Sequence, residues 1–164
     1  AETVLAYVRR LAEAGVGEIT LCDTVGVGNP RQTEALAHTC REAFPEIAFG
    51  MHFHDTRGLA LANALKAWEA GIRSFDGALG GLGGCPFAPG ATGNVATEDL
   101  AYLFSEMGIE TGLSPEALLA AGGFLRETIP GLALTSALAR AGLPVRHPFP
   151  EHPATEGPST RKIR

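Results

Sequence analysis

The sequence predicts an α/β protein in which helices alternate with the strands of a parallel sheet. Two observations lead there. Over residues 2–77, helix-spaced apolar stripes and short period-two apolar runs follow one another. The joins also repeat: Glu13-Ala14-Gly15-Val16 and Glu69-Ala70-Gly71-Ile72 each carry a helix into a strand. Helix, glycine, strand, loop and helix, recurring every ~25–30 residues, is the pattern of successive βα units.

The elements follow in order. Val4, Leu5, Val8, Leu11 and Ala12 have helical spacing and stop at Gly15. The run Glu18 to Cys22, with Ile19 and Leu21, reads as a strand, and Gly26 to Pro30 as a loop whose proline opens the next helix. Leu36, Cys40 and Phe44 recur every four residues, so a helix is expected over 31–43 with Cys40 in its apolar stripe. In Ile47 to Phe53, the apolar Ile47, Phe49, Met51 and Phe53 alternate with Ala48, Gly50, His52 and His54. Period two therefore puts both histidines on one face. Leu61, Leu65, Trp68 and Ile72 mark a third helix, and a third strand is expected near 73–77.

After the glycine-rich stretch the pattern is helical. Leu100, Leu103, Phe104 and Met107 form a stripe, Ser114-Pro115-Glu116 opens another helix, and 132–142 contains a last short one. Residues 1–143 are expected to form one domain and 144–164, rich in proline and charge, a disordered tail. A closed parallel barrel needs eight strands. Three imply either an open sheet or a portion of a longer chain, and the absence of an initiating Met favours the portion. Its uncovered barrel faces and edges are expected to be apolar and prone to association.

Composition narrows the partners. With 45% hydrophobic residues, 19% charged residues and a net charge of −5, the 164-residue chain is an ordinary globular protein without the basic stripe of a nucleic-acid binder. No apolar run reaches the ~20 residues of a membrane span. Three separated cysteines suggest a reduced, cytoplasmic setting.

Five residues carry candidate chemistry. His52 and His54 either hold one metal ion through neutral imidazoles or are hydrogen-bonded polar residues at a strand end. A position at the C-terminal end of a parallel strand favours the metal. Asp23, ending the previous strand, can act as a base, anchor a substrate hydroxyl or cap its loop. Cys85 lies within Gly80-Gly81-Leu82-Gly83-Gly84-Cys85-Pro86-Phe87-Ala88-Pro89-Gly90, a stretch that admits neither a helix nor a central strand. It is an acid, base or nucleophile brought in by loop closure, or an incidental thiol in a linker. The stretch lacks the serines and charges of linkers, which favours the first reading. Asn94 is a cap or turn residue, or its amide oxygen joins a metal shell. Cys22 is expected to be buried in barrel packing.

Taken together, these residues resemble the 3-hydroxy-3-methylglutaryl-CoA (HMG-CoA) lyase family of metal-dependent barrel lyases, over residues 2–130. Four blocks carry the resemblance in order: Cys22-Asp23-Thr24-Val25-Gly26-Val27-Gly28, His52-Phe53-His54-Asp55-Thr56, Gly81 to Ala88 around Cys85, and Gly90 to Asp99. The resemblance implies a (β/α)8 TIM barrel, represented here by its last three βα units and C-terminal helices. It implies Mg²⁺ or Mn²⁺ held by His52, His54 and Asn94, with His52 also close to the reacting carbons. Cys85 would donate a proton to the acetyl-CoA carbanion. Asp23 and Thr24 would line the substrate site, and Gly83, Gly84 and Glu98 would support the loop.

The implied reaction is retro-Claisen cleavage of HMG-CoA to acetyl-CoA and acetoacetate, by an enzyme that is dimeric when intact. A paralogue acting on another 3-hydroxy-3-substituted acyl-CoA, or a truncated non-catalytic scaffold, would carry the same blocks. The family's Asp-Arg-Glu-type first strand has no counterpart in the chain, so these 164 residues alone are expected to bind Mg²⁺ weakly and turn nothing over.

Overall fold

The computed structural model of the chain describes residues 2–84 and 93–145. It is an α/β structure with a three-stranded parallel sheet in the order β1-β2-β3. Helix α1 spans Glu2–Glu13, β1 Glu18–Asp23, α2 Pro30–Ala43, β2 Ala48–Phe53, α3 Ala60–Glu69 and β3 Ser74–Asp76. A single 3₁₀ turn at Leu79–Gly81 precedes α4 (Thr97–Glu106), α5 (Pro115–Thr128) and α6 (Ala137–Ala141).

Local sequence accounts for the helix starts. Asn29 caps α2 in a reciprocal box with Gln32: the Gln32 N–H donates to Asn29 Oδ1 at 3.0 Å, and the Asn29 N–H donates to Gln32 Oε1 at 3.3 Å. Pro30 follows as the first helical residue. Ser114 caps α5 in the expected way, accepting from the Ala117 N–H at 3.1 Å. Helix α6 is shorter than the 132–142 expectation. It is capped by Ser136, whose hydroxyl, like the Ala137 and Leu138 N–H groups, donates to the Asp99 carboxylate.

The helices cover one face of the sheet. Ile19, Leu21, Phe49, Met51 and Phe53 are buried there with Cys40, Phe44, Ile72 and Phe104. Burial of this kind contributes ~25 cal/mol per Å² of apolar surface. Leu100 and Phe104 of the α4 stripe join the core, whereas Met107, at the helix's end, is 38% exposed.

The other face departs from expectation. It carries Glu18, Thr20 and Cys22 from β1, Ala48, Gly50 and His52 from β2, and Ser74 and Asp76 from β3. The uncovered face is therefore small and polar, not apolar. Cys22, expected in packed interior, is exposed because nothing described lies over this face. Gly50 is buried by its neighbours' side chains; a Cβ there would sit 3.2 Å from Thr20 Oγ1 and 3.4 Å from Ser74 Cβ.

β3 is also shorter than the expected 73–77. Past Asp76 an extended segment, 93–97, takes over the pairing. The Val95 N–H donates to the Phe53 carbonyl (2.9 Å), the Ala78 N–H to the Val95 carbonyl (3.1 Å) and the Thr97 N–H to the Ala78 carbonyl (3.0 Å).

Candidate active site

Of the sequence-predicted residues, Asp23, His52, His54 and Asn94 lie where β1 and β2 end. β1 and β2 are in register from Glu18↔Ala48 to Asp23↔Phe53, and β2 and β3 from Gly50↔Ser74 to His52↔Asp76. Cys22, His52 and Asp76 thus form one row across the three strands. His54 follows at the end of β2, 7% exposed, and its ring meets that of His52 edge-on at 5.2 Å and 69°. Strand period, carried on by His54, turns both rings to the same face.

Segment 93–97 brings Asn94 to the pair. Its backbone forms an antiparallel bridge with His54, and the Asp55 N–H donates to the Gly93 carbonyl at 3.2 Å. Asn94 is not the α4 cap, a position held by Ala96. Its Nδ2 donates to the Leu82 carbonyl at 2.8 Å, so its amide oxygen is the atom left to accept or ligate. The His52 ring is likewise fixed at one nitrogen, Nδ1, which contacts Asp76 Oδ1.

Asp23 carries its loop. Its two carboxylate oxygens accept from the Val27 N–H (3.0 Å) and the Gly28 N–H (2.8 Å). Its backbone carbonyl accepts from the His54 N–H at 3.3 Å, tying the ends of β1 and β2 together. Thr24 is exposed in the turn that follows. Asn63, buried in α3, donates through Nδ2 to the Gly28 carbonyl at 3.1 Å, and Arg57 donates to the Val25 and Gly26 carbonyls.

Glu98, wholly buried, accepts the Gly80 N–H on both carboxylate oxygens (3.0 and 2.9 Å) and so anchors the root of the glycine stretch. The stem closes tightly: a Cβ on Gly93 would overlap the Gly81 carbonyl oxygen and lie 3.0 Å from the Gly83 carbonyl oxygen. Gly80 and Gly81 both take positive φ, at 64° and 69°, which breaks the turn out of a regular helix. Gly83 (φ 95°) and Gly84 are exposed at the stem's outer end. Cys85 and the rest of 85–92 lie outside the described residues, as do residues 146–164 of the expected tail.

Among the described residues, no group of three His, Cys, Asp or Glu side chains can hold a metal ion. The donor set is two imidazoles and an amide oxygen, and it suits a divalent ion whose remaining positions are filled by oxygen. Three contributors were not singled out from sequence. Asp76 is visible only once the register is known. Gly93 and Asp99 stand inside the quoted blocks, but nothing local marks one as the stem contact and the other as the α6 anchor. An apolar cleft of about 300 Å³ lined by Trp68, Phe75, Leu100 and Phe104 lies on the helical side of the sheet and includes none of the predicted site residues.

A parallel α/β sheet with paired histidines at the C-terminal ends of its strands and a glycine-rich stem beside them is the arrangement in which α/β barrel enzymes carry their active sites. The HMGL-like family model matches residues 1–124, and the chain belongs to that family. It is 46% identical over 141 residues to (R)-citramalyl-CoA lyase of Chloroflexus aurantiacus, an alignment covering 86% of this chain and 44% of that protein. It is 45% identical over 146 residues to hydroxymethylglutaryl-CoA lyase of Pseudomonas mevalonii, covering 85% and 48%. An HMG-CoA lyase from Acinetobacter baumannii, solved with coenzyme A and 3-methylmalate, superposes with a TM-score of 0.80 at 43% identity, over 90% of this chain and 48% of that one. The chain thus spans somewhat less than half the length of these relatives. Among the described residues no helix is long and apolar enough to cross a membrane.

Proposed function

We propose that this chain is the C-terminal part of a (β/α)8-barrel carbon–carbon lyase that uses Mg²⁺ or Mn²⁺ to cleave HMG-CoA into acetyl-CoA and acetoacetate. The observation that carries the reading is the meeting of His52, His54 and Asn94 at the C-terminal end of the parallel sheet, beside the stem of the cysteine loop. Family membership and the coenzyme A complex of the A. baumannii relative support an acyl-CoA substrate.

His52, His54 and Asn94 would hold the metal, which when bound supplies a Lewis acid that eases loss of the substrate hydroxyl proton. The residues of the chain do the rest. Asp23 holds the β1–α2 loop against the site and lines the substrate pocket with Thr24. Glu98 and the stem glycines, with Gly83 and Gly84 at its outer end, set where the loop departs. Cys85, carried by the residues that follow the stem, would give a proton to the thioester carbanion.

A second reading has its own observation: the C. aurantiacus relative, named for citramalyl-CoA, is as similar as the HMG-CoA lyases. The test is to express the full reading frame containing this chain and assay HMG-CoA and citramalyl-CoA side by side with Mg²⁺ or Mn²⁺. Faster cleavage of HMG-CoA, lost on chelation, is expected. Preference for citramalyl-CoA would transfer the assignment to the second substrate, and no cleavage of either would leave a scaffold.

A further inference from the structure

We infer that Asp76 is a positioning residue for His52, holding its ring in the tautomer that presents Nε2 to the metal. The inference rests on the metal reading above. Asp76 lies opposite His52 in the β2–β3 register, on the same face of the sheet, with Oδ1 against the His52 Nδ1. A carboxylate only accepts, so the proton between them belongs to Nδ1, and the neutral imidazole keeps its lone pair on Nε2.

Two neighbours sharpen this. The His54 ring packs edge-on against His52 and limits its rotation. On the far side of the row, the Cys22 thiol is turned to the Thr20 carbonyl at 3.7 Å and does not compete for the ring. Both partners sit on regular strands, so the geometry is set by backbone pairing and not by loop conformation. As a mere ion pair the contact would be worth little, because the Asp76 side chain is 59% exposed. Its value is directional: outer partners of metal-binding histidines typically change metal affinity by ~10–100-fold.

The experiment uses the full-length protein with ¹⁵N-labelled histidine, first without metal at a pH where imidazole is neutral. Long-range ¹H–¹⁵N spectra, with the His52 signals assigned from a His52→Gln variant, report which nitrogen carries the proton. Wild type is expected to show Nδ1–H at His52. Asp76→Leu, which fills similar space without an acceptor, and Asp76→Ala are both expected to move the proton toward Nε2. Mn²⁺ titration followed by electron paramagnetic resonance should then show at least ~10-fold weaker binding in both variants. Nε2–H in wild type, an unchanged tautomer in the variants, or Mn²⁺ affinity within ~3-fold of wild type would overturn the assignment. If wild type holds Nδ1–H and the variants lose it, but wild type binds no Mn²⁺, the metal reading fails while the tautomer assignment survives.

Discussion

Both carboxylate oxygens of Glu98 are aimed at the single N–H of Gly80, and the side chain that carries them has no exposure to solvent. An acidic group at the start of α4 thereby serves the helix's positive end and the root of the glycine stretch together. Glu98→Ala removes the only acceptor described for the Gly80 N–H and leaves a void. A loss of about 3 kcal/mol in urea unfolding is expected. Glu98→Gln keeps an oxygen for that N–H and should lose less; equal losses would mean that the hydrogen bond is not what holds the stem.

Gly93 and Gly58 are predicted to respond to alanine for different reasons. At Gly93 the added Cβ meets backbone carbonyls of Gly81 and Gly83 that cannot move without opening the stem. Gly93→Ala should cost about 3 kcal/mol or more and impair Asn94 with it. At Gly58 the space is open and only its φ of 69° resists, so Gly58→Ala should cost about 1 kcal/mol. Thermal unfolding of the two variants side by side checks the order.

Asp23 is expected to show two separable effects. Asp23→Asn keeps one of the oxygens that accept from Val27 and Gly28, and should lower stability by about 1 kcal/mol. Turnover, measured well below the unfolding midpoint, should fall by more than that loss explains, since the carboxylate is proposed to line the substrate site. Activity that tracks stability alone would reduce Asp23 to a loop cap.

Cys85 is predicted to be separable from metal binding. Cys85→Ala should lower kcat by about 10²–10⁴-fold, the range of a lost general acid, with Mn²⁺ affinity kept. A parallel loss of Mn²⁺ binding would contradict the division of roles between the loop and the histidines.

The thiols outside the loop should be poor nucleophiles for separate causes. Cys40 is fully buried, which pushes its thiol up and hides it. Cys22 is exposed, yet partial desolvation first and the nearby Asp76 carboxylate second both raise its pKa, so less thiolate is present at a given pH. Peptide mapping after iodoacetamide treatment should show Cys40 protected and Cys22 labelled slowly, faster as pH rises through 9 and beyond, the ordinary thiol value being 9.0. Asp76→Asn should speed Cys22 labelling at fixed pH; unchanged labelling would remove the carboxylate as a cause.

How much of this is legible in the sequence varies with the distance over which each feature is set. The buried stripe Ile47, Phe49, Met51 and Phe53, and the placement of His52 and His54 on the opposite face, follow from a two-residue period inside one strand. The starts of α2 and α5 follow from Pro30 and from Ser114 with Pro115. The exposure of Cys22 is different in kind, because it depends on what covers a face and not on the strand. So is the shortness of β3, which ends where segment 93–97, nearly twenty residues further on, takes over the hydrogen bonds. The His52–Asp76 contact depends on a register between strands joined through α3, and no local pattern encodes it.

The polar face of the sheet has a dielectric consequence. Charges 4 Å apart interact by about 1 kcal/mol in bulk water and by about 4 kcal/mol at the effective permittivity found near protein. On the face as described, the Asp76 carboxylate, 59% exposed, is screened by solvent and acts closer to the first regime. Any cover laid over that face would strengthen each such interaction several-fold without moving one atom of the sheet. The strands settle where the charges sit, and whatever covers the face settles how strongly they act.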